Sequence, residues 1–299
     1  MKIAIVLCGF PRLAEHVAGW SHQVFADYSV DFYTHFWYTN WPNMGTDQAT
    51  AYNAIDSIKP IASTVDCYET AAWDFIDHVR QKPIEPRSEY YYSWPDVRIF
   101  NYNFPGQFIS SSRAVNLVES NYDLIIKTRS DCILPIGANE WLQELVDLVN
   151  KNDCVYESGS TVVNEGIPFI GWDAAFYGNT SSTKNYFQPM EDNLKELFLE
   201  KRNFYDDWHY NVNQTRAKVH PGLAHVTWAK LALLSNTVIR SKPIFLPTPI
   251  VARQEFDYTW TWSEIEEHQY QTTGIQGFEI FNNINSADLI NRAGKIRTA

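Results

Sequence analysis

Near the amino terminus, residues 3–8 form an unbroken apolar run that stops at Gly9, Phe10, Pro11 and Arg12. A short run of this kind, closed by glycine and proline, reads as a strand buried on both faces of a parallel sheet, with a loop at its carboxyl end. The pattern predicts a helix over 13–25, then a second strand over 30–37, rich in β-formers and ending on His35, Phe36 and Trp37. Prolines at 42, 60, 83, 86, 95 and 105 interrupt the next stretch. A short strand over 63–68 and otherwise a long, partly ordered loop are expected there. Phe108, Ile109, Ala114, Leu117 and Val118 recur at the spacing of a helix packed on a sheet, over 107–120, and residues 122–128 read as a central strand.

Beyond it, Trp141, Leu142, Leu145, Val146, Leu148 and Val149 give a helix over 139–150 a wide apolar face. Short strands are expected at 155–156 and 174–177, and amphipathic helices at 190–201 and 224–235. From residue 250 the chain is polar and aromatic without a clear period. Strand and helix signals alternate through the first half, which implies an α/β protein. With no repeat, low-complexity tract or linker, the 299 residues read as one domain.

Charge narrows the partners. The net charge of −11, with no Lys/Arg run, argues against nucleic-acid binding, so an anionic small substrate would need local arginines. Aromatic residues are abundant, 11 Trp, 17 Tyr and 17 Phe, and such rings stack on sugars and bases as well as on one another. Cys8, Cys67, Cys132 and Cys154 are widely spaced, which fits free thiols in a reducing compartment rather than a zinc or disulfide scaffold. No apolar run is long enough to span a membrane and no signal-peptide pattern is present, so a cytoplasmic protein is expected. Asn179 and Asn213 match the N-glycosylation pattern, which has meaning only for a secreted chain. Phosphate-loop, nucleophile-elbow and zincin motifs are missing, against kinase, hydrolase and metalloprotease readings.

The chemistry concentrates where a central strand runs out into Arg129-Ser130-Asp131. An acid at a strand's carboxyl end holds a divalent cation or a ribose hydroxyl, or else serves as a turn former. Arg12 is either a phosphate contact, with the Gly9 backbone approaching the same ligand, or a surface arginine after a proline turn. His35 either lines the cleft or is a satisfied packing residue. Gln107 and Arg113, on the helix before the central strand, are further candidates for donor contact.

Taken in order, Gly9-Phe10-Pro11-Arg12, residues 31–37, Gln107-Phe108-Ile109-Ser110 and residues 122–131 resemble glycosyltransferase-A-type proteins of bacterial polysaccharide loci and phage genomes, the group related to WavE. The resemblance covers about the first 180 residues. It implies a Rossmann-like mixed, mostly parallel sheet flanked by helices, a nucleotide-diphosphate sugar donor, a glycan acceptor and a metal on a D-x-D motif. By that comparison residues 1–135 form the donor half and residues 136–299 the acceptor half. Arg129 stands where the first acid of the motif is expected, and Asp131 keeps the second. Asp131 with diphosphate oxygens would then carry Mg²⁺ or Mn²⁺, or Arg129 would neutralise the diphosphate itself. The segment 171–179 resembles the acceptor side. By that resemblance Asp173 is the general base if the reaction inverts and Trp172 a sugar-stacking ring, the alternative being a turn acid flanked by a core tryptophan. His220 and His225 do not share a helical face, so no metal site follows from their spacing. The alternative is a non-catalytic carbohydrate-binding protein on the same fold. A sulfotransferase would need a phosphosulfate loop, which is not evident.

Overall fold

The computed structural model describes residues 1–40, 46–80, 104–119, 121–130, 132, 139–157, 161–164, 167–170, 175–199, 227–228, 231–232 and 234–241. Asp131, Trp172, Asp173, His220, His225 and the tail from 250 lie outside them.

Nine strands and seven helices are described. They run β1 (Lys2–Gly9), α1 (Ala14–Val24), β2 (Ser29–Tyr38), α2 (Gln48–Ile58), β3 (Ala62–Cys67), α3 (Tyr68–Arg80), α4 (Phe104–Asn116), β4 (Leu124–Arg129), α5 (Asn139–Lys151), β5 (Val155–Glu157), β6 (Thr161–Asn164), β7 (Ile167–Ile170), β8 (Ala175–Gly178), α6 (Thr180–Phe187), α7 (Met190–Leu199) and β9 (Ile239–Ser241). Seven strands form one sheet in the order β3-β2-β1-β4-β8-β5-β9, while β6 and β7 pair separately. All neighbours in the large sheet are parallel except where β8 pairs with β4 and β5. The α/β sheet expected from the alternating pattern is therefore present, mixed but mostly parallel, with helices on both faces.

β1 shows why. Its whole apolar run is buried, and alternate residues feed opposite layers. Ala4, Val6 and Cys8 pack with residues of α3, α4, α6 and α7, such as Phe75, Phe108, Phe187 and Leu194. Ile3, Ile5 and Leu7 pack with residues of α1, α2 and α5, such as Val17, Ala54 and Val149. Each fully buried side chain of this size contributes roughly 1.5–3 kcal/mol, which fixes the register of the central strands.

The proline-rich stretch departs from expectation. It contains two helices, α2 and α3, and Pro60 falls between α2 and β3 rather than inside either element. Asp47 caps α2 by accepting from the Thr50 N–H at 2.8 Å. The buried face of α2 is Ala51, Ala54 and Ile58, two of them too small to register as a hydrophobic stripe. Also unforeseen were α6, capped by Asn179 through Ser182 N, the β6–β7 pair and β9. Of the helix expected over 224–235, residues 227–228, 231–232 and 234 are helical. Among the described residues no helix is long and apolar enough to cross a membrane. All four cysteines are free thiols.

Candidate functional site

Strand order alone locates a crevice. From β1 the sheet grows through β2 and β3 on one side and through β4 on the other, so the carboxyl ends of β1 and β4 flank a topological switch point, where open α/β sheets take their ligands. β8 runs back against β4, with Ala175 opposite Thr128 and Phe176 opposite Lys127. The chain thus enters β8 at the end of the sheet where β4 finishes at Arg129.

Gly9 ends β1 at φ 102, a conformation that side chains rarely adopt. No atom lies within 4 Å of where a Cβ would sit, so the backbone angle and not crowding calls for glycine. Arg12 is exposed and itself left-handed at φ 33, an unusual state for a non-glycine residue. The loop is tied across the crevice by Ser130, whose buried hydroxyl donates to the Phe10 carbonyl. Directly afterwards α1 starts with Leu13 in the cap position, which offers no side-chain cap to the first-turn N–H groups.

Behind the loop lies a polar chain that joins five elements, β1, α4, β2, β3 and α7. The Gly9 N–H donates to Ser110 Oγ at 2.7 Å. Ser110 Oγ lies 2.8 Å from His35 Nδ1, and His35 Nε2 lies 3.0 Å from Asp66 Oδ2. Arg113 Nη1 donates to the same Asp66 oxygen at 2.7 Å, while its Nε and Nη2 donate to the two Glu191 oxygens at 3.0 and 3.1 Å. The Arg113 guanidinium also lies 5.6 Å from the Trp37 ring centroid, and the Trp37 indole N–H donates to the Gly106 carbonyl.

The charge states follow from the surroundings. Burial lowers the His35 pKa below 6.5, with Asp66 pulling only partly the other way. The hydrogen bond from His35, with help from Arg113, brings Asp66 down to about 2 against its burial. Burial raises Glu191, but Arg113 and Lys195 outweigh it and hold the carboxyl below its ordinary value. Near neutral pH the chain therefore contains neutral His35 between a carboxylate and a hydroxyl.

Of the donor-side candidates, Gly9 and Arg12 lie on the crevice loop and Arg129 ends β4, paired through its backbone with the Cys8 position of β1. His35 is fully buried with both ring nitrogens engaged, and Arg113 is committed to Asp66 and Glu191. Gln107 is half-buried on α4 and receives Ser111 Oγ at its carbonyl, 2.6 Å away. Sequence reasoning missed Asp66, Glu69, Glu191, Lys127 and Glu157. Asp66 left a trace, an acid inside a β-forming run where carboxylates are scarce. Glu69 accepts from Thr39 Oγ1 and Asn40 N at 2.5 and 2.8 Å and holds the turn after β2. Lys127 and Glu157, both buried, flank Phe176 in one row of the sheet, with Lys127 Nζ 5.1 Å from the Trp228 ring centroid.

Among the described residues no group of three or more His, Cys, Asp or Glu side chains is arranged to hold a metal ion. Asp66 and Glu69 are engaged by His35, Arg113, Thr39 and Asn40, and Asp131, the expected metal ligand, lies outside the described residues.

No family model matches the chain, and no curated protein does, so the likeness to the WavE group finds no support there. Among solved structures, mouse xyloside xylosyltransferase 1 in its apo form is 12% identical with a TM-score of 0.40, over 93% of this chain and 94% of that one. The galactosyltransferase LgtC with donor and acceptor sugar analogues is 10% identical at 0.35, over 76% of this chain and 69% of that one. The glycosyltransferase GlyE of Streptococcus pneumoniae TIGR4 is 8% identical at 0.32, over 81% of this chain and 45% of that one. Likenesses this distant carry no argument about function, which rests on the crevice itself.

Proposed function

We propose that this chain is a glycosyltransferase of the glycosyltransferase-A type, moving a sugar from a nucleotide-diphosphate donor to a hydroxyl of a glycan or similar acceptor. The observation that carries the reading is the switch point between β1 and β4, with a positive-φ glycine and Arg12 on one rim and Arg129 on the other. The Gly9 loop and the start of α1 suit a diphosphate, and the two arginines would neutralise it as the sugar leaves. Connectivity supports the acceptor side. Asp131 follows Ser130 directly, and two residues of chain, about 7 Å at full extension, separate Asp173 from Ala175, whose partner Thr128 is next to Arg129. Asp173 is then the base that takes the acceptor proton and Trp172 the ring that stacks on the acceptor. Residues 1–135 would hold the donor and residues 136–299 the acceptor. Asp131 is the candidate for donor or metal contact.

Titrating the purified protein with a panel of nucleotide sugars, with and without Mn²⁺, tests this. Binding or turnover of one donor is expected, and no binding or hydrolysis of any donor overturns it. A second reading, a carbohydrate-binding protein without turnover, is favoured by Arg129 in place of an acid. Asp131→Asn separates the two. Loss of a measurable turnover supports the enzyme, whereas unchanged glycan binding with no turnover in either protein supports the alternative.

A further inference from the structure

Ser110, His35, Asp66 and Arg113 are assigned no separate task by the proposed transfer, yet their hydrogen bonds converge on one backbone group of the crevice loop. We infer that they form a positioning relay that fixes the Gly9 N–H, and through it the loop carrying Arg12, in the geometry that receives the donor diphosphate; this rests on the donor-site reading.

Proton counting gives the relay a direction. Arg113 can only donate, so Asp66 is an acceptor to it and, as a carboxylate, also to His35. His35 must therefore carry its proton on Nε2, which leaves the Nδ1 lone pair to accept the Ser110 hydroxyl. With its only proton used there, Ser110 Oγ offers a lone pair to the Gly9 N–H. Another acceptor within reach of that hydroxyl is the His35 carbonyl, at the longer distance of 3.2 Å. Each donor thus has one short acceptor, and the order Arg113, Asp66, His35, Ser110, Gly9 is fixed from one end.

The position of the last link matters. β1 is hydrogen-bonded on both sides, to β2 and β4, and Gly9 is where its chain leaves the sheet, turned towards α4 at an angle open to glycine. One residue later the Phe10 carbonyl accepts from Ser130 at the end of β4. The loop is pinned on one side by Ser110 and on the other by Ser130, which restricts how far Arg12 can swing as a unit with Gly9. All of Ser110, His35 and the ring of Trp37 beside them are buried, so none reaches the donor directly. A relay behind the loop lowers the ordering that binding would otherwise require.

Substitution at His35 distinguishes a relay from simple packing. Asparagine can present an acceptor where Nδ1 stood and serve Ser110, whereas glutamine can present an N–H where Nε2 stood and serve Asp66 but not Ser110. Glutamine is nearer histidine in size, so packing alone ranks it the milder change. The relay ranks asparagine the milder one at Gly9.

Carbonyl-¹³C cysteine with ¹⁵N glycine isolates Gly9 for magnetic resonance, because Cys8-Gly9 is the only Cys-Gly step in the sequence. Ser110→Ala is expected to speed Gly9 amide exchange roughly tenfold, the loss of one hydrogen bond, with His35→Gln close to it and His35→Asn smaller. The same variants should weaken binding of UDP, GDP or CDP, whichever the wild type takes, in the same order and by roughly the same factor. Unchanged Gly9 exchange in Ser110→Ala, or glutamine milder than asparagine, overturns the relay. Altered exchange with unchanged nucleotide affinity overturns its positioning role. A wild type that binds none of the three removes the donor reading while the exchange measurements still decide the relay. Should the variants not fold, ¹⁵N shifts of the wild-type His35 ring decide it: the Nε2–H tautomer near neutral pH supports the relay, and the Nδ1–H tautomer refutes it.

Discussion

Replacing Asp66 by asparagine keeps the size of the side chain but removes the charge that accepts from His35 at 3.0 Å and Arg113 at 2.7 Å. The carboxyl is held at about 2 in the folded protein against an ordinary 3.8. As pH falls, the unfolded chain takes up this proton first. The stabilisation is therefore complete above 3.8 and is lost as pH drops towards 2. Converted in full, the shift is worth about 2.4 kcal/mol. The Asp66 side chain is 40% exposed, however, so solvent screening leaves about 1 kcal/mol. Asparagine can still accept from one of its two neighbours, which keeps the difference from growing. Urea unfolding of both proteins, followed by tryptophan fluorescence across a pH series, measures it. Subtracting the curves cancels the other carboxylates. It does not cancel His35, whose lowered pKa makes both proteins less stable as pH falls below 6.5: Asp66 pulls that pKa upwards, so the variant loses more and the gap widens below 6.5 before it closes. The gap should be about 1 kcal/mol near neutral pH and close between 3.8 and 2. A gap that persists at full size to the acid end, or none at neutral pH, refutes the assignment of Asp66 as a buttressed carboxylate.

Gly9→Ala meets no atom, so its cost is backbone strain at φ 102, about 1–3 kcal/mol of stability; thermal unfolding reads it, and a neutral result would show that the loop adopts another path without loss. Gly106→Ala places a Cβ 2.6 Å from the buried, rigid Tyr68 ring, which packs on Phe10 and Trp37. Overpacking of about 1–3 kcal/mol exceeds the helix-propensity gain of about 1 kcal/mol, so a net loss is expected in denaturant unfolding. Arg129→Ala should raise the donor KM roughly tenfold or more with far-ultraviolet circular dichroism unchanged, and an unaltered KM in steady-state assays contradicts its role at the diphosphate.

The parallel core was legible because burial on both faces leaves an uninterrupted apolar run, as at residues 3–8, and because Gly9 and Pro11 mark where it stops. α2 was not, since alanines at 51 and 54 pack as closely as larger residues yet look neutral in a hydrophobicity pattern. Strand order was also out of reach. Nothing local states that β8 inserts antiparallel between β4 and β5, because its pairing depends on partners some 50 residues upstream and 20 upstream along the chain. For the crevice, the sequence pointed to Gly9, Arg12 and Arg129 through their position after apolar runs. Beyond the oddity of an acid in a β-forming run at Asp66, both Asp66 and Glu191 entered through distance, since Arg113 meets them across separations of 47 and 78 residues.

The pairing of β1 with β4 has a consequence for how the chain is made. Lys2 N meets Asp123 across 121 residues, so the seam beneath the crevice is among the longest loops the polypeptide must close. During synthesis β1, β2 and β3 can assemble first, leaving one side of β1 as an open edge of fully buried-type residues until β4 emerges. Chains halted before residue 124 would expose that edge and be prone to pair with one another. The two rims that face each other in the finished protein are thus joined late, and the crevice exists only after its opposite walls, made at different times, have closed on one another.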